Sequence, residues 1–574
     1  MRGTALVAHH AYRAYRVGTA GRRAGLIAIA AVPALALAVF FLYPVASIIG
    51  LGLHSATGWD LGAFGGVLGR ARFQRIIVFT VAQAAASAVL SLALGVPGAF
   101  LLYRRDFRGR TVVRALATVP FVLPTVVVGL AFNTLFAPHG WLGSWGWGGS
   151  VAAILAAHVF FNYTVVVRTV GAAWAHLDDR PVLAARGLGA GPVRAFLTVT
   201  LPALTPAIAS AALMVFLFCA TSFGIILVMG GGHWNTIETE IYRQTAQVGD
   251  LATAAVLSIL QILLVAAVLV VAAWLRQRTE TALRLRGAID TVRRIRRADL
   301  PAIAVTAAAM VLIVLPIAIL VTRSLATPTG WGLSNYRNLA GVGEGNALLI
   351  SGVAALGNSL RSALIAGGIA TTVGVMLSVV LTRRSRSRVA RRATAALDAI
   401  MMLPLGVSAV TVGFGFLIAL DKPPLDFRSS ALLVPIAQAM VATPLVVRMV
   451  LPVLRAADDR LRQAAALLGA GPVRVWASVD VPIAARALVG AFAFALATGF
   501  GEFGATSFVA RPETVTLPVV IGRLISRPGP VNTGMALAAG VILAAACGIV
   551  VLLVDLTADR CGNGSANGSG IGGF

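Results

Sequence analysis

The chain has 574 residues, of which 58% are hydrophobic and 12% charged, with a mean hydropathy of +0.88. That balance excludes an ordinary soluble domain, and the formal net charge of +26 reads as the arginine bias that orients a membrane protein, with no nucleic-acid partner. Lys422 is the only lysine and stands in Asp421-Lys422-Pro423-Pro424, so a phosphate-binding Gly-Lys-Ser/Thr loop is excluded and any coupling to ATP must come from a partner.

Met1 to Arg23 is basic, and the apolar run that follows is too long for a signal-peptide core, so it reads as an uncleaved first span. Runs long enough to cross a bilayer core recur at 24–50, 76–102, 112–136, 150–174, 203–229 and 251–275. A second set follows at 299–322, 356–382, 395–420, 431–454, 483–509 and 535–557. The fold class is an all-α polytopic membrane protein of about 12 transmembrane helices, arranged as two parallel six-helix repeats. The expected division is 1–23 as an N-terminal cytoplasmic segment, 24–275 and 299–558 as two modules, 276–298 as a basic hinge, and 559–574 as a flexible Gly/Asn/Ser tail.

Arginine clusters at Arg104-Arg105 with Arg108 and Arg110, along the hinge, and at Arg383-Arg384 through Arg392 all fall on one side, together with both termini. That side is expected to be cytoplasmic. The opposite loops, 137–149 and 230–249, are poor in arginine, and Trp141, Trp145 and Trp147 suit an interfacial belt. Scarce lysine and abundant alanine suggest a bacterial source, hence a multi-pass protein of the bacterial inner membrane.

The strongest signal is internal repetition. Asp178-Asp179-Arg180-Pro181 and the residues after it, through Pro202, recur 280 residues on as Asp458-Asp459-Arg460-Leu461 through Pro482. Each copy reads as a short helix, a break and a second helix running toward the proline before the next span. The Asp pair supplies N-terminal acceptors, and Ala184-Ala185 and Ala464-Ala465 are small helix formers. Gly189 and Gly469 suit a left-handed C-cap, and Gly191-Pro192 and Gly471-Pro472 stop the helix. The register extends further: Leu123-Pro124 matches Leu403-Pro404, Val166-Val167-Arg168 matches Val446-Val447-Arg448, Ser222-Phe223-Gly224 faces Glu502-Phe503-Gly504, and Thr236 faces Thr516.

Polar groups within spans are candidates for a translocation pathway because burying them is costly. These are His158, Asn162, Ser222, Gln438 and Glu502, of which His158 and Gln438, and Ser222 and Glu502, are register equivalents; interhelical hydrogen bonding is the competing role. Cys219 and Cys547 read as small buried apolar residues. No catalytic constellation or metal-ligand spacing is expected, and no cofactor.

These repeated loops resemble the EAA loop of permease subunits of binding-protein-dependent ABC importers, roughly Glu-Ala-Ala, three residues, Gly, nine residues and Ile/Val-x-Leu-Pro. Here Ala184-Ala185 and Gly189 lead to Val199-Thr200-Leu201-Pro202, and Ala464-Ala465 and Gly469 lead to Val479-Asp480-Val481-Pro482. The motif's Glu is replaced by Leu183 and Gln463. Two fused modules resemble the ferric-iron and thiamine branch. Tyr103 to Arg110, Ala157-His158-Val159-Phe160-Phe161-Asn162, and Gly230-Gly231-Gly232 with Thr236-Ile237-Glu238 and Ile241-Tyr242 lean toward the thiamine type.

The resemblance implies two ATPase-coupling loops, one around Asp179, Arg180, Ala184, Ala185, Gly189, Gly191, Pro192 and Pro202. The other is built by Asp459, Arg460, Gln463, Ala464, Ala465, Gly469, Gly471, Pro472 and Pro482. It also implies two copies of a separate ATPase, an extracytoplasmic binding protein, and a permease without an ATPase site of its own. Thiamine is the leading cargo and ferric iron the alternative, with sulfate-like oxyanions or polyamines behind. An ion-coupled secondary transporter using Glu502 is the rival from another class, and a membrane-embedded enzyme a distant third.

Overall fold

The computed structural model describes residues 29–55, 58–59, 62–279, 293–327, 330–382, 407–421 and 425–563, with 392, 397–398 and 423 between them. The expected segment 1–23, most of the hinge, Arg383 to Arg391, Leu403-Pro404, Lys422 and the tail after Asn563 lie outside the described residues. The first half runs through α1 (Ile29–Leu53), α2 (Ala71–Arg104), α3 (Arg110–Val122), α4 (Thr125–Phe136), α5 (Val151–Ala175), α6 (Arg180–Gly187), α7 (Pro192–Ala220), α8 (Gly224–Met229), α9 (Ile237–Arg243) and α10 (Leu251–Thr279). The second half runs through α11 (Leu300–Leu325), α12 (Gly352–Thr382), α13 (Ala409–Ala419), α14 (Leu433–Ala456), α15 (Asp459–Leu467), α16 (Val473–Gly501), α17 (Thr506–Val509), α18 (Leu517–Ile525) and α19 (Pro530–Asn563).

Among the described residues, 10 helices are long and apolar enough to cross a membrane, or 11 with the bent pair α3–α4. Two sequence expectations change here. The expected span 112–136 is two helices meeting at 106°. Proline disfavours helical backbone in the residue before it, and Leu123, preceding Pro124, is extended with ψ 133°. The expected spans 203–229 and 483–509 likewise stop early, at Ala220 and Gly501, with α8 and α17 as separate short helices. The expected span 395–420 lies partly outside the described residues; its described part, α13, is the register equivalent of α4.

The repeat reaches beyond the part legible as a motif, with a drifting offset. A two-residue hairpin follows the first long helix in each half, pairing His54 with Trp59 (β1 His54–Ser55, β2 Gly58–Trp59) and, 272 residues on, Ala326 with Trp331. Along α2 and α12 the offset is 279. The Ile237 N–H donates to Thr80 and the Leu517 N–H to Ser359, and a Cβ on Gly95 or on Gly374 would collide with the equivalent valines Val166 and Val446. Close approach over small residues is the usual basis of helix association in lipid.

The halves are interlocked through their first helices. α1 packs on α10 of its own half and on α13 of the other, with Gly415 against Pro44 and Ile48 and with Leu37 and Phe41 buried beside Val412 and Phe416. α11 packs on its own α19 and on α2 and α4 of the first half, burying Ala309 and Ile313 beside Val128 and Phe132. The end of the expected hinge is not loose: Arg293-Arg294 (β4) pairs in parallel with Arg105-Asp106 (β3), and Asp299 accepts two bonds from Arg105, at 2.7 and 3.0 Å.

Candidate functional site

The two repeated loops fold alike, residue for residue. Asp178 accepts the Arg180 N–H at 3.0 Å and Asp458 the Arg460 N–H at 2.9 Å, each carboxylate holding the first turn of the helix that follows. At the other end Gly189 has φ +85° and Gly469 φ +83°. The Ala190 N–H donates to Ala185 and Gly189 to Arg186, and Ala470 to Ala465 and Gly469 to Ala466. This paired bonding is the Schellman ending, which places a residue with positive φ just past the helix. Leu183 and Gln463, in the place of the motif's Glu, both face outward with Ala184 and Ala464. Leu188, Leu467 and Leu468 are about nine-tenths exposed, and Val193 and Val473 are strongly exposed as well. Gly191 and Gly471 are exposed at the break and precede Pro192 and Pro472.

The second helix of each loop runs to the proline, as expected, and continues through it into the span. A single wide π turn, Phe196–Thr200 or Trp476–Asp480, carries the chain past it, with Leu201 and Val481 donating five residues back. Pro202 and Pro482 lack an N–H and would crowd the carbonyl four residues back in a regular helix. The wider turn removes that clash, so α7 and α16 run from the loop into the span as unbroken helices.

Anchoring differs between the copies. In the first, Arg104 at the end of α2 pairs with Asp179 and reaches the Trp174 carbonyl, while Arg293 adds a second pair to Asp179 at 3.3 Å. In the second, Arg462 of α15 itself pairs with Asp459 at 2.6 Å and with buried Asp480 at 2.7 Å, and donates to the Leu454 carbonyl at 3.0 Å. Trp174 and Leu454 are register equivalents, as are Asp179 and Asp459. One guanidinium therefore serves the same two acceptors in both halves, delivered from different helices.

The polar residues singled out within spans separate into three groups. His158, Asn162 and Ser222 form one sealed network: the His158 ring bonds Ser87 at 3.2 Å and Ser222 at 3.0 Å, and Asn162 donates to the His158 carbonyl and to the Cys219 sulfur. Gln438 accepts from Ser362 at 2.6 Å between α14 and α12. Glu502 stands at the break after α16, not in mid-span; its carboxylate accepts the Ala505 and Thr506 N–H groups at 2.7 and 2.9 Å and the Thr506 hydroxyl, and so starts α17. Arg168 is exposed near the end of α5. Cys219 and Cys547 are buried free thiols.

Between the halves runs an aromatic seam. Phe223 and Phe503, register equivalents beside Ser222 and Glu502, stack with ring centroids 5.2 Å apart. An axis relating the halves must pass close to that pair. Tyr242 meets Phe223 and Phe508 edge-on at 5.4 Å, Phe121 stacks on Phe494, and Gly501 lies against Pro124. Glu238, fully buried on α9 between spans, accepts the Ser408 hydroxyl from the other half at 2.8 Å. Burial pushes its carboxyl up to about 8, against the opposing pull of Ser408 and Gln261. Two signals were available in sequence: the aligned Phe223 and Phe503, and a lone carboxylate in Thr236-Ile237-Glu238.

The family described as Binding-protein-dependent transport system inner membrane component matches residues 91–281 and again 370–562. The chain is similar to the thiamine transport system permease protein ThiP of Brucella abortus (strain 2308), 27% identical over 84% of this chain and 88% of that protein. It is similar to the ThiP of Escherichia coli (strain K12) as well, 27% identical over 80% of this chain and 85% of that protein. A molybdate/tungstate transport system permease protein, WtpB of Pyrococcus abyssi (strain GE5 / Orsay), is 33% identical over 29% of this chain and 60% of its own length.

Proposed function

Since the chain belongs to the binding-protein-dependent transport system inner membrane components, we propose that it is the permease of an ATP-driven importer whose cargo is thiamine. The duplicated loop carries the reading. Two short helices with the same caps and an exposed leucine at the same place, Leu188 or Leu468, stand at one end of the bundle, where arginine collects. That end is the cytoplasmic one and bears both termini, and α6 and α15 each seat in one copy of a separate ATPase. Asp179, Arg180, Ala184, Ala185 and Gly189 form the first docking element, and Asp459, Arg460, Gln463, Ala464, Ala465 and Gly469 the second. The unbroken helices past Pro202 and Pro482 carry the ATPase's rigid-body motion into α7 and α16, and so to the seam. A binding protein delivers the cargo at the opposite face. His158, Asn162 and Gln438 hold helices together within each module, whereas Ser222 and Glu502 shape the turns that present Phe223 and Phe503 to the pathway.

Thiamine rests on the two ThiP relatives, which the chain matches over most of its length. The test is uptake of labelled thiamine by a thiamine-requiring host without its own permease, supplied with this chain, its cognate ATPase and its binding protein. ATP-dependent uptake that needs all three components is the expected result. Ferric-iron uptake instead would reassign the cargo, and uptake by the permease alone, driven by an ion gradient, would overturn the importer reading.

A further inference from the structure

We propose that the face of α9 carrying Glu238 and Tyr242 is where the seam recognises an aromatic organic cation on its way through; this rests on the thiamine reading above. Glu238 and Tyr242 are four residues apart on one helix, so they share a face. That face meets the other half of the protein on both sides: Tyr242 touches Phe508, and Phe223, which it also touches, stacks on Phe503, while Ser408 bonds Glu238. The result is a cluster of flat aromatic surfaces with one carboxylate one helical turn away.

Hydrogen-bonding capacity around that carboxylate is one-sided. Ser408 satisfies Oε2, but Oε1 has no partner, and the Oε1 of Gln261 on α10, itself fully buried, has none either. Of the nearby cations, Arg72 and Arg243 both pair with Glu240, at 3.1 and 3.2 Å, and Arg523 lies close enough to Tyr242 for its charge to act on the phenol. The place offers unpartnered acceptors and aromatic faces, and the Ser408 hydroxyl is already bonded to Glu238. A flat cation bearing N–H groups matches both, by charge-assisted bonds to the carboxylate and by its positive charge over the rings. With a cation beside it the carboxyl returns to its charged form.

Symmetry supplies an independent reason. The Phe223–Phe503 pair joins equivalent residues of the two halves, and the Thr80 and Ser359 bonds recur within each module. At the 280-residue offset Glu238, Tyr242 and Gln261 face Pro518, Gly522 and Val541, and Ser408, the residue before α13, stands where Pro124 precedes α4. Every polar group of the cluster is missing from the other copy. The polar face is an asymmetric feature on an otherwise two-fold seam, as one bound molecule per transporter requires.

Glu238→Gln keeps the shape and the bond from Ser408 and removes only the charge. In the complete transporter it is expected to lower the initial rate of thiamine uptake by about tenfold or more. Adding Ser408→Asp to that variant returns a carboxylate within hydrogen-bonding distance of the same point, and uptake should recover. If Glu238→Gln transports thiamine at the wild-type rate, the site is overturned while the thiamine reading stands. If it fails to accumulate in the membrane and Ser408→Asp does not restore it, Glu238 is structural and the site is again overturned. If the wild-type complex takes up no thiamine, the cargo assignment falls and takes this site with it.

Discussion

The two repeated loops have the same local fold and different attachments. Caps, glycine conformation and exposure coincide position by position, because all of these are written within a stretch of some ten residues. The attachments do not coincide. α6 is held by Arg104 from α2 and by Arg293 from the segment joining the halves, so it is tied to its module and to the linker. α15 carries its own Arg462 and is tied mainly to Asp480 of the helix that follows it. A duplicated element can therefore keep its exposed surface while its attachment changes, provided some guanidinium reaches the same carbonyl and carboxylate.

Breaking what the loops share should have the largest effect. Gly189→Val together with Gly469→Val forces a β-branched residue into the left-handed region at a cost of about 1–3 kcal/mol per position. Stimulated ATPase activity and uptake should both be lost while the protein still inserts in the membrane; unchanged coupling would remove the loops from the mechanism.

The next largest effects separate the copies. Arg462→Ala leaves buried Asp480 without its partner and should destabilise the second module by about 2–3 kcal/mol, discounted because Arg462 is partly exposed. Arg104→Ala should cost only about 1 kcal/mol, because Asp179 keeps Arg293. Thermal unfolding in detergent, with limited proteolysis of each loop, ranks the two; equal losses would show that the attachments are equivalent after all. Arg293→Ala removes a pair in which the arginine is nearly half exposed and should shift stability by less than about 1 kcal/mol.

The smallest effect concerns pH and compares Glu238 with its apolar counterpart Pro518. Glu238 is raised in the folded protein, so its contribution to stability is fully present below the ordinary carboxyl value of 4.5 and is lost as pH rises through about 8. The melting temperature should therefore fall across that window, and Glu238→Gln should flatten the profile. An unaltered profile would place the titrating group elsewhere.

The sequence by itself determined the features that depend on short windows of chain. Apolar run length identified the spans, repetition at 280 residues the two modules, and the Gly189 and Gly469 positions the turns where φ is positive, because each is a local property of backbone and hydropathy. Leu123-Pro124 was visible too, yet its meaning as a sharp break was lost in a continuous apolar run, since hydropathy does not register backbone direction.

Tertiary structure alone decided which surfaces meet. It carried α1 across to α13 and α11 to α4, brought Phe223 onto Phe503, and placed Ser408 on Glu238, 170 residues away in sequence. In a bilayer every span is apolar on most faces, so hydrophobicity cannot say which neighbour it will take. That choice is made by close fit and by the few polar groups that must find a partner.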